Sequence, residues 1–292
     1  MAITKKAQKR KEEAERLHAT ITEQIEQLRD SEKWEKFLDY AASFHRYSLN
    51  NLMLIRGQHS TATAVAGYRA WQKKGRQVRK GEKSIRIFGY RKQVITETDA
   101  DGEETQRTIP LFPPVSVFDV SQTDPIEGME QSGELTHDLE GSSPAGLMES
   151  TKVWLESEGW TVTIKPVVGE AIGFTEPTSR SVVVQSGMSD AQTAATLLHE
   201  AAHVVLHADD IKASKEHLGV AETEAESVAY ILAKMAGLDT SEYSIGYIAG
   251  WAKADTDVVA ATAERVVKAV AAIAEGLEST EVSTPVVDLA AA

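Results

Sequence analysis

The stretch SDAQTAATLLHEAAH, residues 189–203, decides how the second half of this chain is read. Ser189 and Gln192 form a capping-box start, and apolar positions then carry a helix into Leu197-Leu198-His199-Glu200-Ala201-Ala202-His203. Four residues turn an α-helix by about 400°, so His199 and His203 share one face a single turn apart. Two imidazoles so placed can hold one zinc ion at about 2.0–2.1 Å each. Glu200 lies about 100° round the helix from His199 and reaches past such an ion toward bound water. Zinc lowers the pKa of that water toward roughly 7, and the carboxylate accepts its proton as a carbonyl is attacked. The spacing points to amide hydrolysis with Glu200 as general base.

A third ligand is needed, and the chain has no cysteine to supply it. His207 continues the series but lies about 12 Å along the helix axis from His199, too far to share the ion, so it reads as packed or as a support behind the ligands. The next helical stretch, Val220-Ala-Glu222-Thr-Glu224-Ala-Glu226-Ser-Val-Ala229, offers three acids. Glu222 and Glu226 share a face at i, i+4, whereas Glu224 points elsewhere. Glu222 is the expected ligand, with Glu226 orienting a histidine from behind, and Glu226 stays open as the alternative ligand.

Composition sets wider bounds. The chain has 292 residues, 42% hydrophobic and 26% charged, which suits two globular domains. The charged N-terminus lacks the apolar stretch of a secretory signal, and charges interrupt the most apolar late segment, 256–277. The expectation is a cytoplasmic protein without a membrane span. The net charge of −13 hides an asymmetry, because residues 1–120 hold 22 Lys/Arg against 16 Asp/Glu and the remainder is strongly acidic. Such a split suggests two modules with different partners.

The expected fold class is α+β: N-terminal helices packed on a small antiparallel sheet, followed by an α+β, zincin-like metallopeptidase domain. Residues 1–120 are expected as the first domain, with 1–30 a leading, largely solvated helix and amphipathic helices over 31–58. A short helix is expected around 65–74, then β-branched runs over 75–120. Residues 121–142 have the composition of an acidic linker. Residues 143–276 form the second domain, with helices at about 144–158, 189–207, 220–236 and 256–276 and strands near 160–167 and 181–185. The tail 277–292 is expected to be loose.

Residues 69–92 carry ten Lys/Arg against Glu82 alone, with Tyr68, Trp71, Phe88 and Tyr90 interleaved. Cations that track a phosphate backbone beside rings that stack on unpaired bases suit single-stranded DNA. The candidate contacts are Tyr68, Trp71, Arg76, Arg79, Lys80, Lys83 and Arg86. A solvated hairpin face with Trp71 and Phe88 in the core is the competing reading of those two rings.

The motifs also carry a resemblance. His199-Glu-Ala-Ala-His203 with Glu222-x-x-Ala-Glu226 looks like the gluzincin arrangement. Residues 143–275, including Gly237-Leu-Asp-Thr and Tyr247-Ile-Ala-Gly-Trp251, are similar to the C-terminal domain of ArdC-type antirestriction proteins and to the related ImmA/IrrE peptidases. Ser48-Leu-Asn-Asn-Leu-Met-Leu-Ile-Arg-Gly-Gln58, Ala66-Gly-Tyr-Arg-Ala-Trp-Gln72 and Gly75-Arg-Gln-Val-Arg-Lys-Gly-Glu-Lys83 resemble the N-terminal domain of ArdC-type proteins. The resemblance implies single-stranded-DNA binding and protection of incoming mobile DNA from restriction. Two rivals stand beside it. One is an ImmA/IrrE-like regulatory protease that cuts a repressor, with a protein or peptide substrate. The other is a DNA-binding protein whose metal is structural. The expected cofactor is one zinc ion per chain, and the same donors accept manganese or cobalt.

Overall fold

The computed structural model describes residues 5–98, 104–129, 144–169, 171–210, 218–238 and 255–281. The fold is α+β, with small sheets among many helices. Helices α1 (Lys5–Gln27) and α2 (Ser31–Ser43) open the chain. The chain divides into two compact units, one of Met1–Ile25 with Leu49–Thr136 and the other of Glu26–Ser48 with His137–Ala292. No helix among the described residues is long and apolar enough to cross a membrane.

In the first unit, α3 (Leu49–Gln58), β1 (Val65–Ala66), α4 (Tyr68–Lys73), β2 (Arg76–Val78), β3 (Ile85–Phe88), β4 (Arg91–Thr98), β5 (Glu104–Leu111), β6 (Pro114–Asp119) and β7 (Thr123–Pro125) follow α1. Antiparallel sheet β1-β6-β3, the pair β2-β7 and the hairpin β4-β5 account for these strands. The free edge of β3 is covered by side chains of α3. The Asn51 amide bonds both the N–H and the C=O of Phe88, each at 2.9 Å, and Gln58 does the same for Arg86 at 2.9 and 2.8 Å. Alternate residues of a strand present their backbone groups to the same edge, so two amides spaced along α3 imitate a neighbouring strand. Asp119, fully buried, accepts from the amides of Thr63, Ala64 and Ser121. Burial disfavours its charge, but these donors outweigh burial and hold its carboxyl below the usual range.

In the second unit α2 joins α5 (Pro144–Ser157), β8 (Thr161–Lys165), β9 (Gly173–Glu176), β10 (Ser181–Gln185), α6 (Asp190–His207), α7 (Leu218–Met235) and α8 (Thr256–Glu281). The run Val182-Val183-Val184 makes β10 the buried centre of its sheet, parallel to β8 and antiparallel to edge strand β9. Most of α7 is buried, as a helix enclosed by others must be. On α8, Val259, Ala263, Val266, Val270 and Ile273 form the buried stripe that their spacing predicts.

Several boundaries depart from expectation. Residues 26–48 group with the second unit because Trp34, Phe37 and Leu38 bury their faces there. The Trp34 indole donates to Ser227 Oγ at 3.2 Å, and Asp39 accepts from Tyr230 and pairs with Lys234. The leading helix is solvated only in part, since Leu17, Ile21 and Ile25 are buried. The expected acidic linker begins too early, because β7 pairs with β2; its later part, 130–142, lies outside the described residues. Leu277, expected in a loose tail, is buried on α8, which continues to Glu281. Tyr247-Ile-Ala-Gly-Trp251 and residues 282–292 lie outside the described residues. Edge strand β9 was not expected at all, its four residues (Gly173, Phe174, Thr175, Glu176) giving no run of β-formers.

Helix α8 approaches α5 so closely that a Cβ on Gly276 would lie 2.2 Å from Trp154 Nε1. Gly276→Ala is therefore expected to cost about 1–3 kcal/mol through overpacking, read as a lower urea midpoint. An unchanged midpoint would mean that the Trp154 indole shifts freely.

Candidate functional site

Helix α6 begins where Ser189 Oγ accepts from the Gln192 amide at 3.2 Å. Ala194, Leu197, Leu198, Ala201 and Ala202 bury one side of it, which leaves His199 and His203 to face α7 and β9. Their Nε2 atoms lie 3.0 Å apart. The carboxylate of Glu222 on α7 meets them at 3.4 Å from His199 Nε2 and 3.5 Å from His203 Nε2. A tetrahedral ion bonded at about 2.0–2.1 Å separates its donors by about 3.3 Å, so the spacing of these three groups is close to what a divalent metal requires. Among the described residues they form the cluster whose donor atoms all lie within 4.8 Å of one another.

The hydrogen bonds behind the histidines settle which nitrogen is free. His199 Nδ1 lies 3.0 Å from Glu226 Oε2 and donates to it, which leaves the Nε2 lone pair toward His203. His207 Nε2 likewise donates to Glu224 Oε2 at 3.0 Å. In a neutral His207 ring Nδ1 then accepts, and its neighbour at 2.9 Å is His203 Nδ1, which must donate. His203 Nε2 is thereby left as a lone pair as well. Glu224 is almost fully buried, and Arg265 of α8 compensates its charge at 3.1 Å. Two facing lone pairs repel unless a positive charge lies between them. A proton is one such charge: burial opposes it, but Glu222 and Glu226 outweigh burial and push His199 up to about 9. A metal cation is the other.

Glu200 is buried beside this cluster, and burial raises its carboxyl above the usual range. Thr175 Oγ1 on β9 donates to Glu200 Oε2 at 2.7 Å and fixes the side chain. A Cβ on Gly173 would stand 2.9 Å from Glu200 Oε1 and 2.7 Å from Thr196 Cγ2, so glycine is what lets the edge strand come this close. The resulting cleft, about 320 Å³, is lined by these groups with Phe174, Pro177, Leu218 and Ala221.

The structure thus brings His199, Glu200, His203 and Glu222 together, and Glu226 stands behind His199. Sequence reasoning missed Thr175 and Gly173, whose part depends on an edge strand without a pattern. It set aside Glu224 as pointing elsewhere, and that direction is toward His207. The i+4 step from His203 to His207 was the available signal.

The basic candidates divide. Lys80 and Lys83 are exposed and carry no ion pair among the described residues. Arg79 is held by Glu82 and Asp124, Arg86 by Glu13 and Ser116, and Arg76 by Thr123. Tyr68 is exposed, accepts from Gln77 through its hydroxyl, and lines an open hollow of about 710 Å³ with Arg79 and Lys80. Trp71 is a correction. It is 1% exposed, packed with Ala64 and Val78, and its indole N–H donates to Phe118 O at 2.8 Å. A ring so enclosed offers no face to a base.

If His207 sets the His203 tautomer, His207→Phe keeps a flat ring in its place, slightly larger, and removes the bond. Zinc affinity is then expected to fall roughly 10–100-fold, measured by competition with a chromophoric chelator. Wild-type affinity in this variant would detach His207 from the site.

Residues 11–118 match the family described as the N-terminal domain of anti-restriction factor ArdC. An uncharacterised protein of Bacillus anthracis is 25% identical over 287 residues, covering 87% of this chain and 49% of that protein. The chain therefore spans about half the length of this relative. Crystal structures of antirestriction ArdC protein from R388 plasmid, one metal-free and one Mn(II)-bound, align with TM-scores of 0.46 and 0.43 at 21% and 20% identity. They cover 80% and 78% of this chain and 84% and 87% of their own. Over residues 11–118, about a third of its length, the chain is similar to the N-terminal domain of anti-restriction factor ArdC.

Proposed function

We propose that this is an antirestriction-type protein whose first unit binds single-stranded DNA and whose second unit hydrolyses an amide at a divalent metal held by His199, His203 and Glu222. The observation that carries the catalytic half is the convergence of three side chains beside a buried carboxylate: the two Nε2 atoms lie 3.0 Å apart, and the Glu222 carboxylate reaches one through Oε2 at 3.4 Å and the other through Oε1 at 3.5 Å. The similarity over residues 11–118 supports the DNA-binding half. Two imidazoles with one carboxylate favour zinc, and manganese, the ion named for the R388 plasmid protein, is the comparison.

A divalent ion in this position supplies a Lewis acid that polarises the scissile carbonyl and acidifies water. The chain's own groups do the rest. Glu200 takes the water's proton and returns it to the leaving amine nitrogen. Thr175 holds one oxygen of Glu200, which leaves the other to take up the proton. Burial lifts the carboxyl's proton affinity toward the value a base needs near neutrality. Glu226 and His207 keep both ligand rings in the tautomer that binds.

Glu200→Gln leaves all three donors in place. Zinc-loaded wild type is expected to cut members of a fluorogenic peptide mixture, and the variant to lose roughly 10²–10⁴-fold of that rate with metal content and DNA affinity unchanged. A zinc- or manganese-loaded wild type that cuts no peptide, yet unfolds on chelation, would overturn the peptidase reading in favour of a structural metal. Loss of antirestriction activity in Glu200→Gln would tie that role to proteolysis; its retention would separate the two.

The DNA-binding half is tested by reversing Lys80 and Lys83 to Glu. Affinity for oligo(dT) is expected to fall, and the slope of log K against log salt to flatten by about 0.7 for each phosphate no longer neutralised. Unchanged affinity and slope would remove these lysines from the interface.

A further inference from the structure

With Trp71 enclosed, the ring that stacks on bases must be sought elsewhere in the first unit, and the root of the β4-β5 hairpin supplies two. Tyr90 immediately precedes β4 and Phe112 immediately follows β5, so the register that pairs Arg91 with Leu111 sets the two aromatics opposite each other. Their ring centroids lie 5.8 Å apart with the planes inclined at 53°. Tyr90 is 63% and Phe112 60% exposed.

We propose that Tyr90 and Phe112 form the platform on which bases of single-stranded nucleic acid stack, with Lys92, on the same side of β4, taking an adjoining phosphate. The inference rests on the single-strand reading of the first unit and names the surface that does the stacking. Three observations support it. A cross-strand aromatic pair that only clamped a hairpin would cover its rings, yet more than half of each is open to water. The inclination keeps the rings from stacking face to face on each other, so each retains a face for a base. The charges that flank the pair along the chain are basic, Lys83, Arg91, Lys92 and Arg107, while Arg86 is paired with Glu13 and acids return only farther along the strands at Glu97 and Glu104. Arg91 and Lys92 are exposed and carry no ion pair among the described residues. Cations beside open rings are the combination that binds single strands without sequence preference.

Beyond the rings, this face mixes one cation with small and apolar side chains. Lys92 and Val94 follow Tyr90 on the same side of β4 by strand alternation, opposite Pro110 and Thr108, and Val94 is itself exposed. Val115 of β6 packs so closely under Gly89 that a Cβ there would lie 2.8 Å from Val115 Cγ1, which fixes the backbone from which Tyr90 projects.

The test uses the full chain and a 20-nucleotide oligo(dT) at two salt concentrations, with fluorescence anisotropy as the readout. Each of Tyr90→Ala and Phe112→Ala is expected to weaken binding roughly 5- to 100-fold without changing the salt slope, because stacking displaces no counterion. Tyr90→Phe should restore affinity. Duplex of the same length hides its base faces, so the alanine variants should bind it as wild type does. Phe112→Trp provides a second readout: its added emission should be quenched as oligo(dT) saturates the protein. Wild type that binds no single strand would overturn the reading of the first unit. Wild type that binds, with the double alanine variant binding equally and the emission of the Phe112→Trp variant unmoved, would overturn this proposal alone and leave the pair to a protein partner.

Discussion

Two imidazole nitrogens 3.0 Å apart cannot both direct a hydrogen at each other, and much of the second unit is arranged around that constraint. Glu226 takes the outer hydrogen of one ring directly. The other ring is served through an intermediary, since His207 passes the demand back to Glu224, and Glu224 to Arg265. Helices α6, α7 and α8 each contribute to this line. A carboxylate as deeply buried as Glu224 is expensive unless compensated, so the guanidinium is part of the same requirement. Packing of the helices and the protonation pattern of the donors are therefore one problem with one solution.

The first unit answers a different problem, that of short strands with exposed edges. Side-chain amides of α3 substitute for a missing strand beside β3, and buried Asp119 gathers three amides that no ladder serves. These polar devices free the outer faces of the hairpins from packing duties. Charges and rings can then face solvent without loosening the unit.

How much could be read in advance follows from the period of each signal. The i, i+4 spacing of His199 and His203, and of Glu222 and Glu226, is a helical property, so their common faces were legible residue by residue. The alternation of α8 was legible for the same reason. Trp71 was not, because a tryptophan among lysines has the composition of a stacking surface, and only the pocket made by Ala64, Val78 and Phe118 shows that it is enclosed. Thr175 was invisible because nothing local distinguishes a threonine that reaches a carboxylate 25 residues away. Tyr90 and Phe112 stand 22 positions apart, and only strand register makes them neighbours.

The passage of the chain between units has a consequence for its biogenesis. Residues 26–48 belong with partners made much later: Ser227, which receives the Trp34 indole, follows it by 193 positions. On a translating ribosome the apolar flank of α2, with Trp34, Phe37 and Leu38, emerges long before the surface that will cover it. During that interval the nascent chain displays a greasy helix tethered between two stretches of a unit that can otherwise close, a natural target for holding chaperones. No single cut can free the first unit intact, since severing the chain near residue 136 strands α2 without its cover.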